Sequence, residues 1–276
     1  MNKHQSTIRI LFITDIHESA PIDVLQQQLH AFLKEKPCDF IFVGGDVRSL
    51  KHPVNLSQEA NTVATNDSYD ILLYKMLSSF SIPVLWIPGN HDSTYSYIPG
   101  FRYPFPNSLN LHNHVYRIGN NLYVAGIGGS PPAYDQNHTL VWTGFPFVKG
   151  DVDPTALEEE MARIPQSASI ILFTHAPPDL APTSIAVSKE NRAELIIAGS
   201  ASLSNLLKRT LSNYRVPLYL HGHCHVAVGS NTYHGEKNST VILNPGSYRD
   251  GRVARITLTE REDMWIVSSQ EFYTLS

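Results

Sequence analysis

The sequence predicts an α/β fold, and three observations carry that expectation. Short, fully apolar runs suit strands buried on both faces. Amphipathic segments of helical length separate them, and the runs end in polar residues. Strands apolar on both faces need helices to cover the sheet, and the carboxyl edge of such a sheet is where open α/β folds build their sites. No internal repeat, charge block or Gly/Ser linker divides the 276 residues, so residues 1–276 are expected to form a single domain, a length one large α/β unit can occupy.

Ile8–Ile13 is the first buried strand, closed by Thr14-Asp15. Pro21 can open a helix, since its fixed φ suits a helix start. Val24, Leu25, Leu29, Phe32 and Leu33 then share one face until Pro37. Phe40–Val43 is a second strand, ended by Gly44-Gly45-Asp46, and after a polar stretch at 48–68 a second helix carries Ile71, Leu72, Met76 and Leu77. Val84–Ile87 is a third strand, ended by Pro88-Gly89-Asn90-His91-Asp92. The Pro- and aromatic-rich segment Tyr95–His114 reads as a long loop, and Val115–Ile118 with Leu122–Ala125 as a hairpin. Gly128–Asp153 reads as a second long loop. Ile170–Phe173, a helix near Leu203–Leu211, and strands at Leu218–Leu220, Val241–Leu243, Val253–Leu258 and Met264–Phe272 complete the chain.

Composition narrows the function classes. Lys plus Arg number 21 against 25 acidic residues, a formal charge of −4, so no basic track for an extended nucleic acid is expected. Two cysteines, Cys38 and Cys224, exclude a disulfide framework and a four-cysteine zinc site. Thirteen histidines direct any metal toward nitrogen and oxygen ligands. Ile8–Ile13 is too short for a signal sequence, and no apolar run approaches the roughly 20 residues of a membrane span. A cytoplasmic location without a membrane partner is the expectation.

Asp15 and His17, Asp46, Asn90 and His91, His175, and then His221, His223 and His225 all follow apolar strands. Strand ends on one sheet edge converge, so these residues can meet despite their separation in sequence. Carboxylates, imidazoles and an amide suit divalent transition metals, and there are enough of them for two ions. Asp46 is the natural bridge, because a carboxylate has two oxygens. Singly, an Asp-x-His after a strand is commonly a turn and a Gly-Gly-Asp a tight turn. His-x-His is stronger, since alternation in an extended segment puts both rings on one side. By the same alternation Cys224 faces away.

The series Asp15-Ile16-His17, Gly45-Asp46, Gly89-Asn90-His91-Asp92, Thr174-His175 and Gly222-His223-Cys224-His225 resembles the metallophosphoesterase superfamily, the calcineurin-like phosphoesterases. The blocks occur in family order across residues 15–225, and Asn244-Pro245-Gly246-Ser247 resembles a turn common in bacterial members. The resemblance implies a four-layer α/β/β/α sandwich with two divalent or mixed-valence ions, Mn, Fe or Zn, between the sheet edges. It implies that Asp15, His17 and His225 hold the first ion, that Asn90, His175 and His223 hold the second, and that Asp46 bridges them. His221, outside the pattern, is read as a supporting residue or a substituting ligand. The implied activity is that of a metal-dependent phosphoric ester hydrolase, attacking through metal-bound hydroxide. His91 would protonate the leaving oxygen or stabilise the transition state, with Asp92 orienting it.

The protein Ser/Thr phosphatases of the superfamily carry a second Asp at the second block, where this chain has Gly45-Asp46-Val47-Arg48-Ser49. A phosphorylated small molecule or nucleotide, as phosphomonoester or phosphodiester, is therefore the expected substrate. A protein phosphatase, a nuclease, or a non-catalytic scaffold of the same fold are the alternatives. Arg48 is placed to reach a phosphate oxygen. The aromatic loops 95–114 and 130–149 serve either to recognise a leaving group or to cover the sandwich edge. There is no Gly-x-x-x-x-Gly-Lys-Ser/Thr loop and no Gly-x-Ser-x-Gly elbow.

Overall fold

The computed structural model describes residues 6–51, 68–135, 137–187, 195–236 and 238–276. Most of the polar stretch at 48–68 lies outside them. In chain order the elements are β1 (Thr7–Ile13), α1 (Ile22–Glu35), β2 (Phe40–Val43), α2 (Tyr69–Ser78), β3 (Val84–Trp86), β4 (Ser108–Asn110), β5 (His114–Gly119), β6 (Leu122–Ile127), β7 (Ala133–Tyr134) and β8 (Leu140–Trp142). There follow α3 (Thr155–Met161), β9 (Ser169–Thr174), β10 (Ile185–Val187), β11 (Leu195–Ile197), α4 (Ala201–Asn213), β12 (Arg215–Leu220), β13 (Gly229–His234), β14 (Ser239–Asn244), β15 (Arg252–Arg261) and β16 (Met264–Thr274).

Two six-stranded mixed sheets form the centre, ordered β16-β15-β1-β2-β3-β4 and β13-β14-β12-β9-β6-β5. In the first, β1 to β4 run parallel, β15 runs antiparallel to β1, and β16 runs antiparallel to β15. In the second, β6, β9, β12 and β14 run parallel, flanked by antiparallel β5 and β13.

Side-chain alternation divides every central strand between two cores. From β1, Leu11 and Ile13 pack with Leu25, Leu29 and Leu73 of α1 and α2, whereas Ile10 and Phe12 face the other sheet. From β9, Ile171 and Phe173 meet Phe12 and Phe42 between the sheets, and Ile170 and Leu172 meet Leu157 of α3 and Leu206 of α4. Three cores therefore separate four layers, helices, sheet, sheet and helices, as expected from the family resemblance. Ser200 caps α4 by accepting from the Leu203 amide, satisfying one of the amides a helix start leaves open.

The structure adds strands where loops were expected. β4 lies within 95–114 and pairs in parallel with β3, and β7 and β8 form a small hairpin within 128–153. The first half of 95–114 is cover. Tyr103 stacks on Tyr74 with ring centroids 4.5 Å apart and lies 5.0 Å from Trp86. Asp70, buried in the first turn of α2, accepts hydroxyl hydrogen bonds from Tyr95, Tyr103 and Ser93. Among the described residues no helix is long and apolar enough to cross a membrane.

Candidate metal centre

The carboxyl ends of β1, β2 and β3 face those of β9 and β12, and the polar residues after them converge between the sheets. Asp15, His17, Asp46 and His225 form one group of donors and Asp46, His175 and His223 a second. Within each group the candidate ligand atoms lie within 4.8 Å of one another. Asp46 belongs to both. In the first group, His17 Nε2 is 3.0 Å from His225 Nε2 and 3.7 Å from Asp46 Oδ2, and His225 Nε2 is 3.3 Å from Asp15 Oδ1. In the second, His175 Nε2 is 3.4 Å from Asp46 Oδ2 and 3.0 Å from Asn90 Oδ1.

Backbone geometry produces this convergence. Asp15, His17, Asp46 and His223 all have left-handed φ, between 51° and 67°, a region where Asp and His are tolerated better than most residues. Turning there aims successive side chains inward. Gly89 permits a close approach, since a Cβ at that position would lie 2.2 Å from Asp46 Oδ1. The Asn244–Ser247 turn supports the site from behind. Asn244 Nδ2 donates to the Cys224 and Ala227 carbonyls, and the Ser247 hydroxyl donates to the Asp15 carbonyl.

The donors fit divalent cations. His175 Nδ1 lies 2.8 Å from the Gly44 carbonyl oxygen; a carbonyl only accepts, so Nδ1 carries a hydrogen and Nε2 is the ring atom that faces Asp46 and Asn90, where a cation would take the place of its proton. A carbonyl partner of this kind orients metal-ligating histidines. His223 Nε2 is buried with no partner, which is costly for a polar atom unless something else engages it. In the chain alone, burial works to raise Asp15, but the neighbouring His225 and His175 outweigh it and hold the carboxyl at about 2. Burial likewise opposes the proton on His175, yet the Asp46 charge raises the imidazole to about 9. Burial lowers His223 to about 3, which keeps it a neutral donor.

His91 sits at the rim, its ring centroid 5.4 Å from that of His17. Its amide donates to Asp46 Oδ1 at 2.8 Å, and its Nδ1 donates to the Leu50 carbonyl at 2.8 Å. The expectation that Asp92 orients this ring does not match the contacts. Asp92 accepts from the amides of Gly89 (2.7 Å) and Arg48 (2.9 Å), tying the third strand's turn to the second's. The Leu50 carbonyl does the orienting, and a main-chain acceptor 41 residues away leaves no mark in sequence. Arg48 is engaged by Glu18 and Ser93 rather than standing free.

The segment 221–225 is a turn rather than an extended strand, so alternation does not hold. His221 is fully buried, donates from Nδ1 to the Gly222 carbonyl and accepts the Thr183 hydroxyl at 2.7 Å. With both nitrogens engaged and burial lowering it to about 4, it supports the loop and joins neither donor group. Cys224 is also buried and outside both groups. Tyr97 of the aromatic loop, which no motif marks, donates its hydroxyl to the Gly89 carbonyl at 2.8 Å.

Two mixed sheets between helix layers, with Asp/His clusters at their facing edges, define a metal-dependent phosphoesterase architecture. The calcineurin-like phosphoesterase family profile matches residues 8–227, and the chain belongs to that family. Solved structures agree on the fold. One crystal structure aligns with TM-score 0.61 at 17% identity, covering 98% of this chain and 100% of its own. A phosphatase from Mycoplasma pneumoniae aligns with TM-score 0.50 at 10% identity, covering 98% and 93%. Among curated proteins no significant sequence match is found.

Proposed function

We propose that the chain, with residues 1–276 acting as one domain, hydrolyses a small phosphomonoester or phosphodiester at a two-metal centre. Asp15, His17 and His225 would hold one ion, and Asn90, His175 and His223 the other, with Asp46 shared. The observation that carries this reading is the membership of Asp46 in both donor groups. Ions such as Mn²⁺, Fe or Zn²⁺ supply the positive charge that makes water acidic and offsets charge on phosphoryl oxygens.

The chain's own residues supply the rest. Asn90, as a neutral ligand, would leave less negative charge around its ion and more attraction for an anionic substrate. The Gly44 carbonyl fixes His175 with Nε2 inward. His91 commits Nδ1–H to Leu50, which leaves Nε2 as the atom that meets the leaving oxygen. A proton passed to the leaving oxygen would therefore come from that nitrogen.

Metal analysis and turnover of 4-nitrophenyl phosphate and its bis ester with Mn²⁺ test the reading. Close to two ions per chain are expected. Asp46→Ala should lose both, and His91→Ala should keep its metal while activity falls about 10²- to 10⁴-fold. An Asp46→Ala protein as active as the wild type would end the proposal.

A further inference from the structure

Exposed apolar side chains are unevenly placed. Among the described residues ten large apolar residues are exposed, and six of them, Tyr134, Leu140, Leu195, Ile197, Val226 and Val228, follow the strands of the second sheet on its carboxyl side. Tyr134 and Leu140 face each other across the β7–β8 hairpin, which follows β6. Leu195 and Ile197 flank buried Ile196 in β11, so both point outward from the antiparallel β10–β11 pair that comes after β9 in the chain. Val226 and Val228 follow His225 directly.

Both strand pairs are fastened to the donor loop. Trp142 of β8 packs edge-on against His223 with centroids 5.3 Å apart. Thr183, just before β10, hydrogen-bonds His221. β11 also lies against β7, so the exposed apolar residues adjoin the metal centre on its His223–His225 side.

Single exposed apolar residues need no explanation, but clustered ones beside a site mark a binding surface. Five of the six are aliphatic. A nucleobase or sugar presents donors and acceptors that Leu, Ile and Val cannot answer, whereas an alkyl or acyl chain presents none. Leu195 and Ile197 remain 57% and 69% exposed, which is unfavourable unless a ligand covers them.

We infer that the substrate is an amphiphilic phosphoester, its phosphate at the donor groups and its hydrocarbon chain across this surface. The inference rests on the phosphoesterase reading, and binding measurements separate the two. Calorimetry of ethyl, butyl, hexyl and octyl phosphate against the Mn²⁺-loaded full chain should show Kd tightening with chain length. A fully buried methylene gives a ceiling of roughly fourfold, and octyl phosphate should bind at least about tenfold tighter than ethyl. The surface double variant Leu195→Ser/Ile197→Ser should abolish most of that ratio and leave ethyl phosphate unchanged.

A Kd flat along the series, or a double variant that keeps the wild-type ratio, overturns the inference while the phosphoesterase reading stands. Chain-length-dependent binding without hydrolysis of any ester supports the surface and removes the hydrolase. Absence of binding by every ester overturns the inference, and the phosphoesterase reading is then decided by turnover of 4-nitrophenyl phosphate and its bis ester. If sedimentation shows a wild-type dimer that the double variant dissociates, the surface is a self-interface and the inference falls.

Discussion

Asp46 depends on a position that is not itself a donor. Gly89 lies against it so closely that a methyl group would meet Asp46 Oδ1 at 2.2 Å and its amide nitrogen at 2.3 Å. Neither contact is the far end of a flexible chain, so Gly89→Ala must displace the carboxylate or the turn. Because the overlap is confined to the strand-end turns, helix and sheet content should survive. Gly89→Ala is expected to fold, by circular dichroism, and to retain less than about one tenth of the wild-type bound Mn²⁺, a second-sphere loss of the size seen when ligand orientation fails. Wild-type metal content in that variant would show that Asp46 does not need its observed position. The same scale explains what sequence could and could not reveal. Asp15, His17, Asp46, Asn90, His175, His223 and His225 are legible because residue type and strand-end position coincide. The Leu50 and Gly44 carbonyls are not, since any residue supplies a carbonyl. The left-handed φ of His223 hides behind a pattern that also suits a strand.

At the scale of elements, the inter-sheet core holds the two halves of the donor set together. Phe173, the penultimate residue of β9, is fully buried, with ring centroids 5.8 Å from Phe12 and 5.2 Å from Phe42. These three rings join the strands that carry His175, Asp15 and Asp46. Phe173→Ala should cost about 3–5 kcal/mol in denaturant unfolding, the usual result of emptying a large buried site. A cost below about 1 kcal/mol would mean that the sheets do not rely on this contact. Asp70→Ala is a second, polar test. It strands the Tyr95, Tyr103 and Ser93 hydroxyls, and a loss of about 1–3 kcal/mol is expected. Elements whose apolar runs are buried on both faces, such as β1, β2, β9 and β12, were readable directly. β13, Gly-Ser-Asn-Thr-Tyr-His, was not, because an edge strand with alternating exposure needs few apolar residues. α3 has Leu157 and Met161 as its buried positions, too few to establish a period.

Across the whole molecule, the two sheets are joined in sequence where β4 gives way to β5, and a histidine pins that crossing. The Leu111 amide still bonds the Trp86 carbonyl of the first sheet, while the Asn113 amide already bonds Gly126 of the second. Between them, His112 Nδ1 accepts the Gly128 amide at 3.0 Å, and its ring packs on Tyr97 with centroids 4.9 Å apart. An amide only donates, so Nδ1 must be unprotonated for this bond to exist. Burial, with a smaller push from the His114 charge, lowers His112 to about 4, against about 6.5 in an unfolded chain. Between those values the unfolded chain binds the extra proton and the folded one does not. Stability is therefore complete above pH 6.5 and is lost as pH falls from 6.5 toward 4, by at most about 3 kcal/mol from this residue. Other histidines titrate in the same range, so the informative quantity is a difference. Unfolding of the wild type and of His112→Gln, measured in urea from pH 7.5 to 4.5, should give curves that converge as pH falls, since glutamine cannot gain the proton. Parallel curves would mean that the crossing is indifferent to the charge on His112, and that the acid sensitivity of the fold originates elsewhere.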